Sequence, residues 1–339
     1  MKNIFTLLLC FACLLLSGQN ENLKLHYNFQ SSDNNGTITD ISGNGYNGTL
    51  KNNAYVDLMD TYSILNLGTS NGYLDMGENA GHLINSLSDF SISTYVCIDE
   101  ASDLNANGNF IWTFSNSDDI IAQQNGCMFY SPKIESYKIS LTDYQTESGI
   151  GLGSQMVKKT WKHLVYTQSG TTGTIYIDGI EKTSGYVGVL PQQLGITSFN
   201  YIGRSPYLGD AYLKGLISDF RIYNKVLSSS EVIDLATKMT GLNNAYVDYQ
   251  NQPVKYVTNN NPLFTHKFTA DPAALVYDNT FYIYSGQDTG NGSGYNMPNW
   301  LVFSSKDLKN WEEHPVPLKT SDFQWATGNF SWYFTGCRT

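Results

Sequence analysis

The sequence predicts an all-β protein, a two-sheet sandwich followed by about one blade of a β-propeller. Three observations lead there. Apolar and polar residues alternate along short segments, turn signals recur between those segments over roughly two hundred residues, and a polar stretch then introduces four further short strands in up-and-down order.

Alternation is clearest in Phe90-Ser91-Ile92-Ser93-Thr94-Tyr95-Val96-Cys97-Ile98, where Phe90, Ile92, Val96 and Ile98 share one face, as a sheet with one buried side requires. After Trp161, the segment Lys162 to Thr167 reads as a strand, Ser169 to Gly173 as a turn and Thr174 to Ile177 as a strand. Asp178-Gly179 is then a tight hairpin turn that needs positive φ at its centre. One helix interrupts the pattern. Ser228 and Glu231 form a capping box, Val232, Leu235, Ala236 and Met239 recur at helical spacing, and Gly241 is read as the stop. The run Gly149-Ile150-Gly151-Leu152-Gly153 lacks the spacing of a dinucleotide loop and is read as loop.

The chain of 339 residues carries ten more acidic than basic charges, with a pI near 4.9. It therefore lacks the electrostatic footprint for nucleic acid or anionic lipid, and neutral polymers are the natural partners. Met1-Lys2-Asn3, an apolar run from Ile4 to Leu16, and Ser17-Gly18 before polar residues are the parts of an export signal, too short to span a bilayer. Residues 1–19 are read as this signal, which places the protein outside the cell or in the periplasm, with cell-surface association the alternative. No later segment is apolar for long enough to cross a membrane. Signal removal leaves Cys97, Cys127 and Cys337. A Cys97–Cys127 disulfide and two buried thiols are both open readings. The five histidines show no pair at metal-ligand spacing.

Four motifs then carry a resemblance over residues 20–240: Asp40-Ile41-Ser42-Gly43-Asn44-Gly45-Tyr46, Gly72-Tyr73-Leu74-Asp75-Met76-Gly77, Asp89-Phe90-Ser91-Ile92-Ser93, and Leu213 to Leu227 with the helix after it. In this order they resemble the concanavalin A-like, laminin-G-like superfamily. That resemblance implies a jelly roll of two antiparallel sheets that binds glycans, binds proteins or shields a neighbouring enzyme. Related modules often hold structural calcium, which makes Asp40 and Asn44 candidate ligands; the competing reading is that they close a turn. No cofactor is required. Tyr46, Tyr73, Tyr207 and Tyr212 are candidate sugar-stacking residues, with packing as the plainer alternative.

Residues 241–260 read as a linker. Residues 261–339 then give Asn261 to Tyr277, a turn at Asp278-Asn279, strands from Thr280 and Trp300, and Trp311-Glu312-Glu313-His314. Ala270-Asp271-Pro272, Tyr282-Ile283-Tyr284, Trp300 to Trp311 and Phe323-Gln324-Trp325-Ala326-Thr327-Gly328 resemble the opening of glycoside hydrolase family 43, whose members include β-xylosidases and α-L-arabinofuranosidases built on five blades. The resemblance makes Asp271 the general base of an inverting mechanism and Trp325 and Ala326 substrate contacts. It also implies xylan, arabinan or arabinoxylan as partner polysaccharides. The matching general acid and third carboxylate belong to later blades, so the propeller is expected to be incomplete and the chain inactive alone. A one-base shift within the codons for Thr335-Gly336-Cys337-Arg338-Thr339 permits Gln-Val-Ala-Glu-Arg, which motivates a frameshift reading. The alternatives are a glycan-binding or adhesion module acting through the sandwich, and a nonfunctional gene product.

Overall fold

The computed structural model describes residues 21–33, 35–68, 70–117, 126–142, 146–250, 254–257, 263, 267–288 and 297–323. The expected leader lies outside them. The chain divides into two compact units, Met1–Ala245 and Tyr246–Thr339.

The first unit is a sandwich of two eight-stranded sheets. One sheet runs Ile180–Tyr186, Thr172–Ile177, Lys162–Ser169, Phe90–Ile98, Gly215–Tyr223, Tyr62–Asn66 and Tyr55–Met59, with Leu23–Tyr27 also paired to Gly215–Tyr223. The other runs Ser148–Gly151, Ser136–Ser140, Cys127–Ser131, Trp112–Ser115, Phe199–Ile202, Tyr73–Asp75, Gly48–Lys51 and Thr37–Ile38. Apolar side chains from both inner faces form one core, which includes Phe90, Ile92, Val96 and Ile98 as their alternation requires. Tyr137 and Tyr166, one from each sheet, stack across that core with ring centroids 3.8 Å apart.

The strand Phe90–Ile98 is buried along its whole length rather than on one side. Its second face is covered because Leu227, Val232 and Leu235 of the C-terminal helical segment pack with Leu23, Val165, Tyr176 and Tyr223 over the sheet's outside. The Tyr95 hydroxyl on that face donates to the Leu235 carbonyl. Cys97 shares this outward side, whereas Cys127 clusters with Phe110 and Phe129 on the outside of the opposite sheet. The two thiols are buried and point away from each other, a geometry no disulfide can bridge.

The local signals are realised in the backbone. Asp178 and Gly179 both take positive φ, 55° and 80°, between the paired Ile177 and Ile180. The preceding hairpin is tighter than its Ser169 to Gly173 reading, since Ser169 already pairs with Thr172. Ser228 Oγ accepts from the Glu231 amide, and Glu231 Oε2 accepts from the Ser228 amide in return. The chain does not stop at Gly241, however: after a 3-10 turn, Met239–Gln250 is a helix that runs through it. A Cβ at Gly241 would stand 1.8 Å from the Tyr62 hydroxyl, so the glycine serves close packing rather than termination. The stretch read as linker thus contains most of this helix and the strand Val254–Val257.

The second unit is a six-stranded antiparallel sheet ordered Val254–Val257, Asn310–Glu313, Asn299–Ser305, Thr280–Asp288 and Phe268–Tyr277, with Leu318–Lys319 paired to Asn299–Ser305. Four of these are the expected up-and-down strands, and the expected turn at Asp278-Asn279 takes positive φ at both residues, 46° and 54°. Ile283, Leu301, Phe303 and Trp311 form a small core. Glu313 is 6% exposed and ion-paired with Lys267, because a buried carboxylate needs a counter-charge.

Candidate functional site

A cleft of about 710 Å³ lies on the outer face of the second sandwich sheet, a size typical of small-molecule sites. Strand register builds its floor. Lys138 stands directly opposite Phe129 on one side and Gly149 on the other, while Ser136 stands between Ser131 and Gly151. Directly paired residues share a face, so Gly149 and Gly151 place no side chain beside Lys138 and Ser136. The intervening Ile150 turns inward against the core. What reads as a glycine loop is therefore an edge strand, and its two glycines leave this end of the sheet open. A Cβ at Gly149 would come within 2.1 Å of the Tyr137 carbonyl.

Two loops form the opposite wall. Gly108, at φ 90°, bridges to Ala211, and a Cβ there would meet the Ala211 carbonyl at 2.4 Å. Hydrogen bonds from Asn109 N to Ala211 O and from Ala211 N to Asn107 O lock the loops together at 2.7 and 3.0 Å. Phe110 consequently lies flat against Phe129, with ring centroids 3.8 Å apart. Tyr207 meets both rings edge-on.

The polar groups are arranged around this apolar floor. The Tyr207 hydroxyl lies 3.2 Å from Glu147 Oε1, to which it donates, and 3.4 Å from Cys127 Sγ. Ser205 donates to Asp210, and Lys133 to Asn107. Burial raises the proton affinity of the Glu147 carboxyl, an effect that the Tyr207 hydrogen bond and the Lys138 charge partly offset and the charge of Asp210 reinforces. Asp210 is raised by burial against the opposing Ser205 bond and Lys133 charge. Burial pushes the Cys127 thiol up to about 12, so it is not a thiolate nucleophile at neutral pH. The site offers carboxylate acceptors, ammonium donors and an aromatic floor, which suits reversible binding of a ligand with both hydroxyl groups and an apolar face.

Residues 67–233 match the family described as the concanavalin A-like lectin/glucanases superfamily. The sandwich is concanavalin A-like in fold. Stretches of the chain are also similar to curated proteins: 37% identical over 79 residues to an arabinoxylan arabinofuranohydrolase of Bacillus subtilis, and 41% over 78 residues to one of Paenibacillus polymyxa. A xylosidase/arabinosidase 43A of Humicola insolens is 37% identical over 76 residues. These matches take in 20–21% of this chain and 15%, 12% and 23% of the respective relatives. Among solved structures, domain 4 of the extracellular arabinanase AbnA from Geobacillus stearothermophilus, in complex with arabinotriose, overlaps 63% of this chain and 98% of its own. The overlap has 19% identity and a TM-score of 0.49.

Within the concanavalin A-like domain, Asp40 is 5% exposed and its carboxylate is filled by protein donors. Oδ1 accepts from the amides of His26 and Ser42, and Oδ2 from the Ser42 hydroxyl and the Tyr46 amide, at 2.8–3.1 Å. Asn44 turns its amide nitrogen toward the Leu23 and Lys24 carbonyls. This pair is arranged as a turn, and a calcium ion would have to displace the bonds that build it. Among the described residues no cluster of three metal-ligating side chains occurs, and no helix is long and apolar enough to cross a membrane.

Of the four tyrosines, Tyr207 enters the cleft. Tyr73 and Tyr212 join Tyr201 around the Arg204 guanidinium, 4.5–5.8 Å from the three ring centres. Tyr46 packs on the core. Glu147, Asp210, Phe110, Phe129 and Lys138 escaped sequence reading; the alternate glycines at 149 and 151 were the signal that could have located the opening.

In the second unit Asp271 is exposed on Phe268–Tyr277, at φ 49°, where the register with Thr280–Asp288 shifts between Ala270 and Ala273. Such a bulge re-aims a side chain, and aspartate tolerates the left-handed region better than most residues. Glu312 and Glu313 lie on Asn310–Glu313, with two strands between theirs and that of Asp271. Trp325 and Ala326 lie outside the described residues.

Proposed function

We propose that the chain is an exported carbohydrate-active protein related to hydrolases that remove arabinose or xylose from plant polysaccharide, with Asp271 in the general-base position. The observation that carries this reading is an exposed aspartate at a β-bulge, Asp271, in a chain with stretches 37–41% identical to arabinofuran- and xylan-directed enzymes. In an inverting reaction its carboxylate takes a proton from water as the water oxygen bonds to the anomeric carbon. A carboxylic acid across the ring gives its proton to the departing oxygen, roughly 6.5–9.5 Å from the base. Trp325 and Ala326 would contact the sugar beside it. Because Glu313 is paired with Lys267 and Glu312 shares its strand, we assign neither as the acid and expect no turnover by the chain alone.

Two measurements test this. The purified chain is expected to leave nitrophenyl α-L-arabinofuranoside and β-D-xyloside intact. A chimera in which the stretch of this chain that aligns with the Bacillus subtilis relative, extended to include Asp271, replaces its counterpart there is expected to hydrolyse the arabinofuranoside and to lose at least about a hundredfold in kcat on Asp271→Asn. Full activity of that variant would remove Asp271 from the base role.

The cleft favours a second reading, a glycan-contact module acting through the concanavalin A-like domain. Retention of the chain by insoluble xylan or arabinan tests it, and passage through both unretained would refute it.

A further inference from the structure

We propose that the cleft between Phe110, Phe129 and Tyr207 is a binding site for a neutral oligosaccharide, with Lys138 and Glu147 as hydrogen-bonding walls. The proposal rests on the glycan-contact reading and gives it a location and a ligand class. Three features converge. The floor is aromatic: the Phe110–Phe129 stack, 6% and 4% exposed, is a rigid buried base that holds the partly exposed Tyr207 edge-on, and the Tyr207 ring is the surface a sugar's C–H face can reach. The walls pair two lysines, Lys133 and Lys138, with two carboxyl groups, Glu147 and Asp210. The charges balance, so neither a uronate nor a cation gains from the site's net field, while a neutral polyol finds donors and acceptors together.

The third feature is independent of these. Ser136 lines the cleft, is 1% exposed, and its hydroxyl has no hydrogen-bond partner among the described residues. Buried hydroxyls are rarely left unmatched, and of the unmatched hydroxyls of Thr113, Tyr130 and Ser136 it is that of Ser136 which borders the cleft. Gly151 keeps the space beside it free of a side chain, since a Cβ there would meet Ser136 Cβ at 2.7 Å.

The test is calorimetric titration of the full chain with xylohexaose and with arabinohexaose, and with trigalacturonate as the anionic comparison. Saturable binding of at least one neutral oligosaccharide is expected, with trigalacturonate at least roughly tenfold weaker. Tyr207→Ala is expected to weaken binding roughly tenfold by removing part of the floor. Since that change also loosens the contacts with Phe110 and Phe129, Lys138→Met supplies a second variant that keeps the packed stem and removes the donor, with a loss of roughly threefold or more. Saturable binding that neither substitution alters would overturn the cleft while leaving the glycan-contact reading standing on another face. Tighter binding of trigalacturonate would overturn the neutral ligand class. Absence of oligosaccharide binding together with no retention on insoluble xylan or arabinan would sink both the site and the reading beneath it.

Discussion

Asp219 and His26 meet at 2.7 Å across 193 residues of sequence, joining the first strand of the sandwich to its last. Asp219 stands at φ 56° within a register shift between Ser218 and Arg221, which turns its carboxylate toward His26, Arg221 and Lys238 at once. Burial alone would raise this carboxyl's pKa. The hydrogen bonds from His26 and Arg221 and the charges of Arg221 and Lys238 outweigh burial and hold it well below the usual carboxylate range.

Asp219→Asn is therefore expected to destabilise the protein by about 2–3 kcal/mol near neutral pH, because it strips the counter-charge from the partly buried Arg221 and the more exposed Lys238 while keeping a residue that accepts positive φ. The depressed native pKa means that the stabilisation is complete above the unfolded value of about 4 and fades as pH falls below it. Denaturant titrations of both proteins should converge in strong acid. A constant gap at every pH would show that the charge plays no part.

His163 is fully buried, with its Nε2 2.9 Å from Ser93 Oγ and its ring against Tyr95. Burial lowers its pKa to about 4, against a smaller opposing pull from Asp219 and Asp178. The unfolded chain protonates this ring near pH 6.5 and the native one only near 4, so the folded state binds fewer protons between those values and loses stability as pH falls through that window. The contribution is on the order of 3 kcal/mol. Melting temperatures of His163→Phe should fall less steeply from pH 6.5 to 4 than those of the parent. Parallel curves would refute the assignment.

For Asp40, the expected outcome is structural loss without metal dependence. Removing its carboxylate in Asp40→Ala orphans the amides of His26, Ser42 and Tyr46 and is expected to cost about 2–4 kcal/mol. The parent's melting temperature should be the same in calcium and in chelator. A rise of several degrees with calcium would revive the ligand reading and show that the turn opens to admit the ion.

Much of the architecture was legible from local chemistry. Phe90, Ile92, Val96 and Ile98 announced an inward face, Asp178-Gly179 announced a left-handed turn, Asp278-Asn279 a turn, and Ser228 with Glu231 a helix start. Each of these is decided by atoms within a few residues of one another, and period-two patterning carries straight into a pleated strand. Gly241 misled for the same reason. Glycine near a helix end ordinarily signals a stop, but here the space it leaves is claimed by Tyr62, a residue far away in the chain.

The sequence by itself determined the strand content, the turns, the separation into a sandwich and a following sheet, and the placement of Asp271 within a recognisable motif. Tertiary structure alone decided that Cys97 and Cys127 face opposite ways, that Asp40 is filled by amides from two segments, and that the glycines at 149 and 151 open a cleft walled by Glu147 and Asp210. The reason is physical: side-chain alternation is a property of one strand, whereas a site is made by register between strands and by loops that close over them. Those relations depend on residues that share a surface without sharing a neighbourhood in the chain.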